Sequence, residues 1–154
     1  MAEPIEFAFS TPRYFLPLLF QGQVQKEFFV NEAHSRVDAL LHTAIEGIAD
    51  APPSNPNDGE CWLVSETPVG DWAGCANMLA AFSSGVWQLM PPSDGMRAFD
   101  KSADQMRLYT GTWEMPNEPP LPQGGTVVDI EARQAIADLF QTLRAARILS
   151  PNTL

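Results

Sequence analysis

Two histidines, His34 and His42, and the carboxylate of Asp38 are the first places to look for chemistry in this chain. Residues four apart on a helix share a face, so His34 and Asp38 could hold a metal or pass a proton. A zinc site needs at least a third protein ligand, and none is evident. They therefore read as a solvent-facing or capped pair, and no metal or other cofactor is expected. Cys61 and Cys75 are the only cysteines. They read as two small core residues, with a disulfide between them or a catalytic thiol as the alternatives. Glu60, Glu66, Asp71, Asp94 and Asp100 offer enough carboxylates for a glycosidase pair, but acidic residues around turns read first as turn formers and solubilisers. H-E-x-x-H, a phosphate-cradling glycine loop and G-x-S-x-G do not occur. Trp72, Trp87 and Trp113 are candidate glycan contacts, because aromatic faces stack on sugar rings; core packing is the competing reading for at least three of the four tryptophans. No catalytic residue emerges, and the pattern describes a building block rather than an enzyme.

The elements around these residues are legible as patterns. Residues 22–48 lack proline, and Val30, Ala33, Val37, Leu40, Leu41, Ala44 and Ile48 recur at three- and four-residue spacing. That spacing predicts one long amphipathic helix, ended by Asp50, Pro52 and Pro53, with its apolar stripe forming the core. Before it, residues 1–21 mix prolines with Phe7, Phe9, Tyr14 and Phe15, which predicts an extended apolar arm that docks on a neighbouring subunit or a larger particle. After it, short apolar runs alternate with turn formers. They predict a small antiparallel meander whose helix-bearing domain covers residues 22–115. Phe82 and Trp87, and likewise Tyr109 and Trp113, flank tight turns as cross-strand aromatic pairs. Residues 116–125 are a Pro/Gly linker. Residues 126–154 predict a C-terminal helix, with Thr126 and Asp129 in a capping-box variant. Its seam of Ala132, Ile136, Leu139, Leu143 and Ala146 has coiled-coil spacing and no partner in the chain, so it predicts a homo-oligomer. The expected class is α+β: one long N-terminal helix on a small meander, then linker and oligomerising helix.

The bulk numbers narrow the partners. The chain has 154 residues, a formal net charge of -10 and a pI near 4.4. Nine Lys and Arg offer a phosphate backbone little, so nucleic acid is not an expected partner. No apolar run approaches a membrane span, and the N-terminus lacks the pattern of a signal peptide, so function without export and without membrane insertion is expected.

Gly22, Gln23, Gln25 and Lys26, then Asn31, Glu32 and Ala33, then Arg36, Asp38, Ala39 and Leu40 stand in a specific order. With Pro52, Pro53, Pro56, Asp58, Gly59, Trp62, Gly70, Trp72, Gly85, Trp87 and Gly95, they resemble an uncharacterised domain found in tail fibres and head spikes of alphaproteobacterial phages and gene transfer agents. The resemblance covers roughly residues 14–113. It implies a virion structural protein, assembled in the host cytoplasm, that sits at a tail tip, fibre base or capsid vertex and supports host adsorption. By analogy with such fibres and spikes it also implies a homotrimer, and other virion proteins as partners. A carbohydrate-binding adhesin touching a host surface glycan directly is the alternative.

Overall fold

The computed structural model describes residues 9–22, 24–126 and 128–151. The chain forms two compact units, Met1–Pro92 and Ser93–Leu154. Phe7 and the rest of residues 1–8 lie outside the described residues.

The fold expected from the sequence does not form. There is no single long helix on one meander; the strands are distributed over two sheets, and the first helix, α1, spans only Lys26–Leu40. Its last bond runs from Leu41 N–H to the Val37 carbonyl, and His42 then turns to φ 50°. The continuation expected to be helical becomes strands β1 (Ala44–Ile45) and β2 (Ile48–Ala49). Their β-branched residues and the sheet partner available to β2 outweigh a 3.6-residue periodicity that continues only weakly past Leu40. The stripe expected to form the core is largely exposed instead. Val37 is 50% exposed and Leu40 38%, whereas α1 buries Glu27, Asp38 and Ala39. Periodicity shows that residues share a face but not what that face meets.

In the first unit β2 joins β3 (Cys61–Val64), β4 (Leu79–Ser83) and β5 (Val86–Met90) in the order β2-β3-β4-β5. β3, β4 and β5 pair antiparallel, but β2 runs parallel to β3 through Ile48↔Leu63 and Ala49↔Val64. A parallel pair needs a crossover, here supplied by the proline-rich residues 50–60. Ser84 and Gly85, both at positive φ, close β4 onto β5 as a two-residue turn. Phe82 faces Trp87 across it, ring centroids 5.0 Å apart. Val64, Trp72 and Ala80 form a buried cluster with Trp62, Cys75, Trp87 and Leu89 packed around it. Cys61 and Cys75 are not joined in a disulfide.

In the second unit β6 (Arg97–Asp100), β7 (Gln105–Tyr109) and β8 (Trp113–Glu114) pair antiparallel in sequence order. Asp100 is fully buried and organises the β6–β7 turn. Its Oδ1 accepts from the Ser102 N–H at 2.9 Å, the Ser102 hydroxyl at 2.6 Å and the Ala103 N–H at 3.2 Å. Its Oδ2 accepts from Arg107 Nε at 2.7 Å. Burial alone would raise this carboxyl; the Ser102 hydroxyl, Arg107 and the Ala103 N–H together outweigh burial and hold it below its ordinary value.

The tail helix α2 spans Ile130–Ala145 and starts on Asp129, whose side chain accepts from Ala132 N–H. It is not a helix on a free tether. Phe140 and Leu149 are buried, Met106 N–H donates to the Arg147 carbonyl, and Gln105 Nε2 bridges the Ile148 and Pro116 carbonyls at 2.8 Å each. The stretch expected to be a linker is tied to α2 as well. Arg144 holds Glu118 through two bonds of 2.8 and 2.5 Å, and Arg133 donates to the Pro122 and Gly124 carbonyls.

Candidate functional site

The residues that bind the N-terminal segment lie on one stripe of α1. Glu27, Asn31, His34 and Asp38 stand at i, i+4, i+7 and i+11, which is one helix face, and each takes hold of backbone. Glu27 accepts from Gly22 N–H at 3.1 Å. The Asn31 amide accepts from Leu19 N–H at 2.8 Å and donates to the Leu19 carbonyl at 3.1 Å. His34 Nδ1 lies 2.8 Å from the Pro17 carbonyl. Asp38 accepts from the Thr11 hydroxyl at 2.5 Å, Arg13 N–H at 3.0 Å and Tyr14 N–H at 2.7 Å. The His34–Asp38 pair is thus structural, each member serving a different part of the segment, and the described residues hold no cluster of three or more side chains suited to a metal ion.

The segment held this way is not extended over residues 9–18. It folds back as a hairpin, with Thr11 N–H on the Leu16 carbonyl, Leu18 N–H on the Phe9 carbonyl and an antiparallel bridge between Ser10 and Pro17. Its tip closes α1. The Arg13 guanidinium donates to the Asp38, Ala39 and His42 carbonyls at 3.2, 2.8 and 2.9 Å, placing a cation on a helix C-terminus that has no basic residue of its own. The tip also rests on Gly59, where an added Cβ would stand 3.2 Å from Pro12 and 3.3 Å from Arg13.

Because polar groups hold the hairpin, its apolar side chains stay outside. Phe9 and Phe20 pack edge to face at 5.9 Å, yet remain 60% and 54% exposed. With Leu18, Leu19, Gln21 and Asn31 they line an open groove of about 510 Å³. Tyr14 and Phe15, the other aromatics expected to dock, are also exposed and stand at the hairpin tip. Neighbouring Phe28 and Phe29 extend the exposed apolar surface along α1. Phe20 belongs to the same arm of residues 1–21 as the expected docking aromatics, whereas Phe28 and Phe29 stand on the helix, where the apolar spacing does not include them.

The candidate glycan tryptophans are not gathered into a site. Trp72 is 1% exposed, so it cannot meet a glycan. It packs edge to face on half-buried Trp87 at 5.2 Å, and its indole N–H has no partner among the described residues. Trp113, in the second unit, leans on Tyr109 at 5.3 Å. On α2 the seam residues Ala132, Ile136, Leu139 and Ala146 are exposed and Leu143 is half-buried, while Phe140 turns inward.

No curated protein and no solved structure matches the chain. The family model described as protein of unknown function DUF2793 matches residues 30–114. That span exceeds half of the 154 residues and includes Asn31, His34, Asp38 and Gly59, which seat the hairpin. The chain therefore belongs to the DUF2793 family.

Proposed function

We propose that this protein is a non-enzymatic structural subunit of a phage or gene transfer agent particle, a tail-fibre, tail-tip or head-spike attachment protein that supports host adsorption. The observation that carries the reading is the apolar groove of Phe9, Leu18, Leu19 and Phe20, held open to solvent by a polar clamp rather than folded into a core. Exposed aromatics in a contiguous, rigidly seated cluster mark protein contact surfaces. The groove would receive another protein of the particle, and the α2 seam would hold copies of the chain together as a trimer. Support comes from the ordered string from Gly22 to Leu40, which resembles phage and gene-transfer-agent proteins, and whose Asn31 and Asp38 build the clamp.

The test is incorporation. Phe9→Asp and Phe20→Asp change exposed side chains, so each variant should keep its circular dichroism spectrum and be lost from purified particles. Normal incorporation of both variants would refute groove docking. Separately, Leu139→Asp should lower the sedimentation coefficient of the purified chain by weakening the α2 seam; an unchanged coefficient would refute the seam.

A further inference from the structure

Among the described residues, the apolar stripe of α1 has no partner. Val30, Ala33, Val37 and Leu40 follow a 3-4-3 spacing, the a/d pattern of a coiled coil. They stand off the polar stripe that seats the hairpin, because one residue step turns an α-helix by about 100°. Val37 and Leu40 are 50% and 38% exposed, and Phe29 beside them is 77% exposed.

We infer that this face of α1 packs against α1 of a second copy of the chain. Two observations favour a second copy over another occupant, and a third sets the strength of the contact. The first is charge. Residues 43–92 carry Glu46, Asp50, Asp58, Glu60, Glu66 and Asp71 with no Lys or Arg. Residues 9–42 carry Arg13, Lys26 and Arg36 against Glu27, Glu32 and Asp38, and Glu27 and Asp38 are buried. The hairpin and α1 are thus the part of the first unit where two chains of net charge -10 can meet without opposing fields. The second is self-complementarity. A heptad seam with Val at the a positions and Ala or Leu at d offers the knobs and holes that another such seam accepts. On its flank Arg36 is already paired with Glu32 at 2.6 Å, leaving the seam edge neutral. The third is area. The α1 seam alone spans barely two heptads, marginal for a free coiled coil. Phe29, 77% exposed on the flank of the seam, adds roughly 150 Å² of ring surface, against roughly 800 Å² per partner in a standard interface. The interface is accordingly a reversible one.

This contact is independent of the particle assignment and of the α2 seam, and its test reads neither. In a Leu139→Asp background, which disables the α2 seam, the purified full chain should still sediment as more than a monomer at micromolar concentration. Adding Val37→Glu should raise the dissociation constant about tenfold or more while the circular dichroism spectrum stays unchanged. In the same background, Val37→Cys should form a disulfide-linked dimer under mild oxidation, and Glu32→Cys, off the seam, should not. A monomeric Leu139→Asp chain would overturn the inference. So would equal cross-linking at positions 32 and 37, which is the outcome expected if the face serves a different protein.

Discussion

Removing the Asp38 carboxylate should undock the hairpin and leave the sheets intact. Asp38 is the acceptor for the Thr11 hydroxyl, Arg13 N–H and Tyr14 N–H, and among the described residues it is the side chain that takes most of the hydrogen bonds from the hairpin tip. In Asp38→Ala, three donors lose a charged acceptor. A buried donor left unpaired costs about 1–3 kcal/mol, and the two part-buried amides recover some of this from water. A net loss of about 3 kcal/mol for hairpin docking follows, or roughly a hundredfold in the docking equilibrium. Arg13 also leaves the α1 C-terminus when the tip moves, so the last turn of α1 should fray with it. Hydrogen exchange read at the Arg13 and Tyr14 amides should show this loss of protection, and the amides paired between β4 and β5 should keep theirs. Asp38→Asn retains the shape and one acceptor oxygen, so it should fall between. Undiminished protection of Arg13 and Tyr14 in Asp38→Ala would refute the clamp as the element that positions the groove.

Other outcomes follow from single contacts. Asp100→Asn breaks a buried pair with Arg107 and should destabilise the second unit by about 3 kcal/mol or more, seen as an earlier loss of hydrogen-exchange protection in β6 and β7 on adding denaturant. The same group sets an acid limit: its folded value lies below the ordinary 3.8, so its contribution is complete above that value and is lost as pH falls through the lower folded one. The wild type should therefore lose more stability below about pH 4 than Asp100→Asn, measured by denaturant midpoint against pH. Trp72→Ala empties the centre of the first unit's cluster and should cost about 3–5 kcal/mol, with no effect on any glycan binding beyond that of unfolding.

Much of the local structure was readable before the fold was. The pairs Phe82–Trp87 and Tyr109–Trp113 follow from an aromatic on each side of a glycine turn, and both form. Asp129 and the start of α2 follow from capping chemistry. The failures share a physical cause: they depend on contacts distant in sequence. The spacing of the Val37 stripe predicts a core face because a single chain offers no other destination for it, yet the polar stripe of Glu27, Asn31, His34 and Asp38 takes the hairpin as its intramolecular partner. Asp38 reads as a surface carboxylate until Thr11, Arg13 and Tyr14 are brought to it across about two dozen residues. The end of α1 carries no local stop signal, since the cation that caps it comes from the hairpin. Trp72 looked like a glycan contact because composition does not separate an exposed aromatic from a buried one. The groove is half legible: Phe9 and Phe20 both stand in the aromatic arm of residues 1–21, but nothing in the spacing shows that they pack on each other and line one groove.

The most direct test of the structural role is the protein inventory of particles purified by density gradient from cells that produce them. If this chain is a virion subunit, it co-sediments with the particles at a fixed copy number relative to the capsid protein and resists a high-salt wash, because its contacts are apolar. Recovery of the chain only in the soluble fraction, with particles that lack it, would contradict the account.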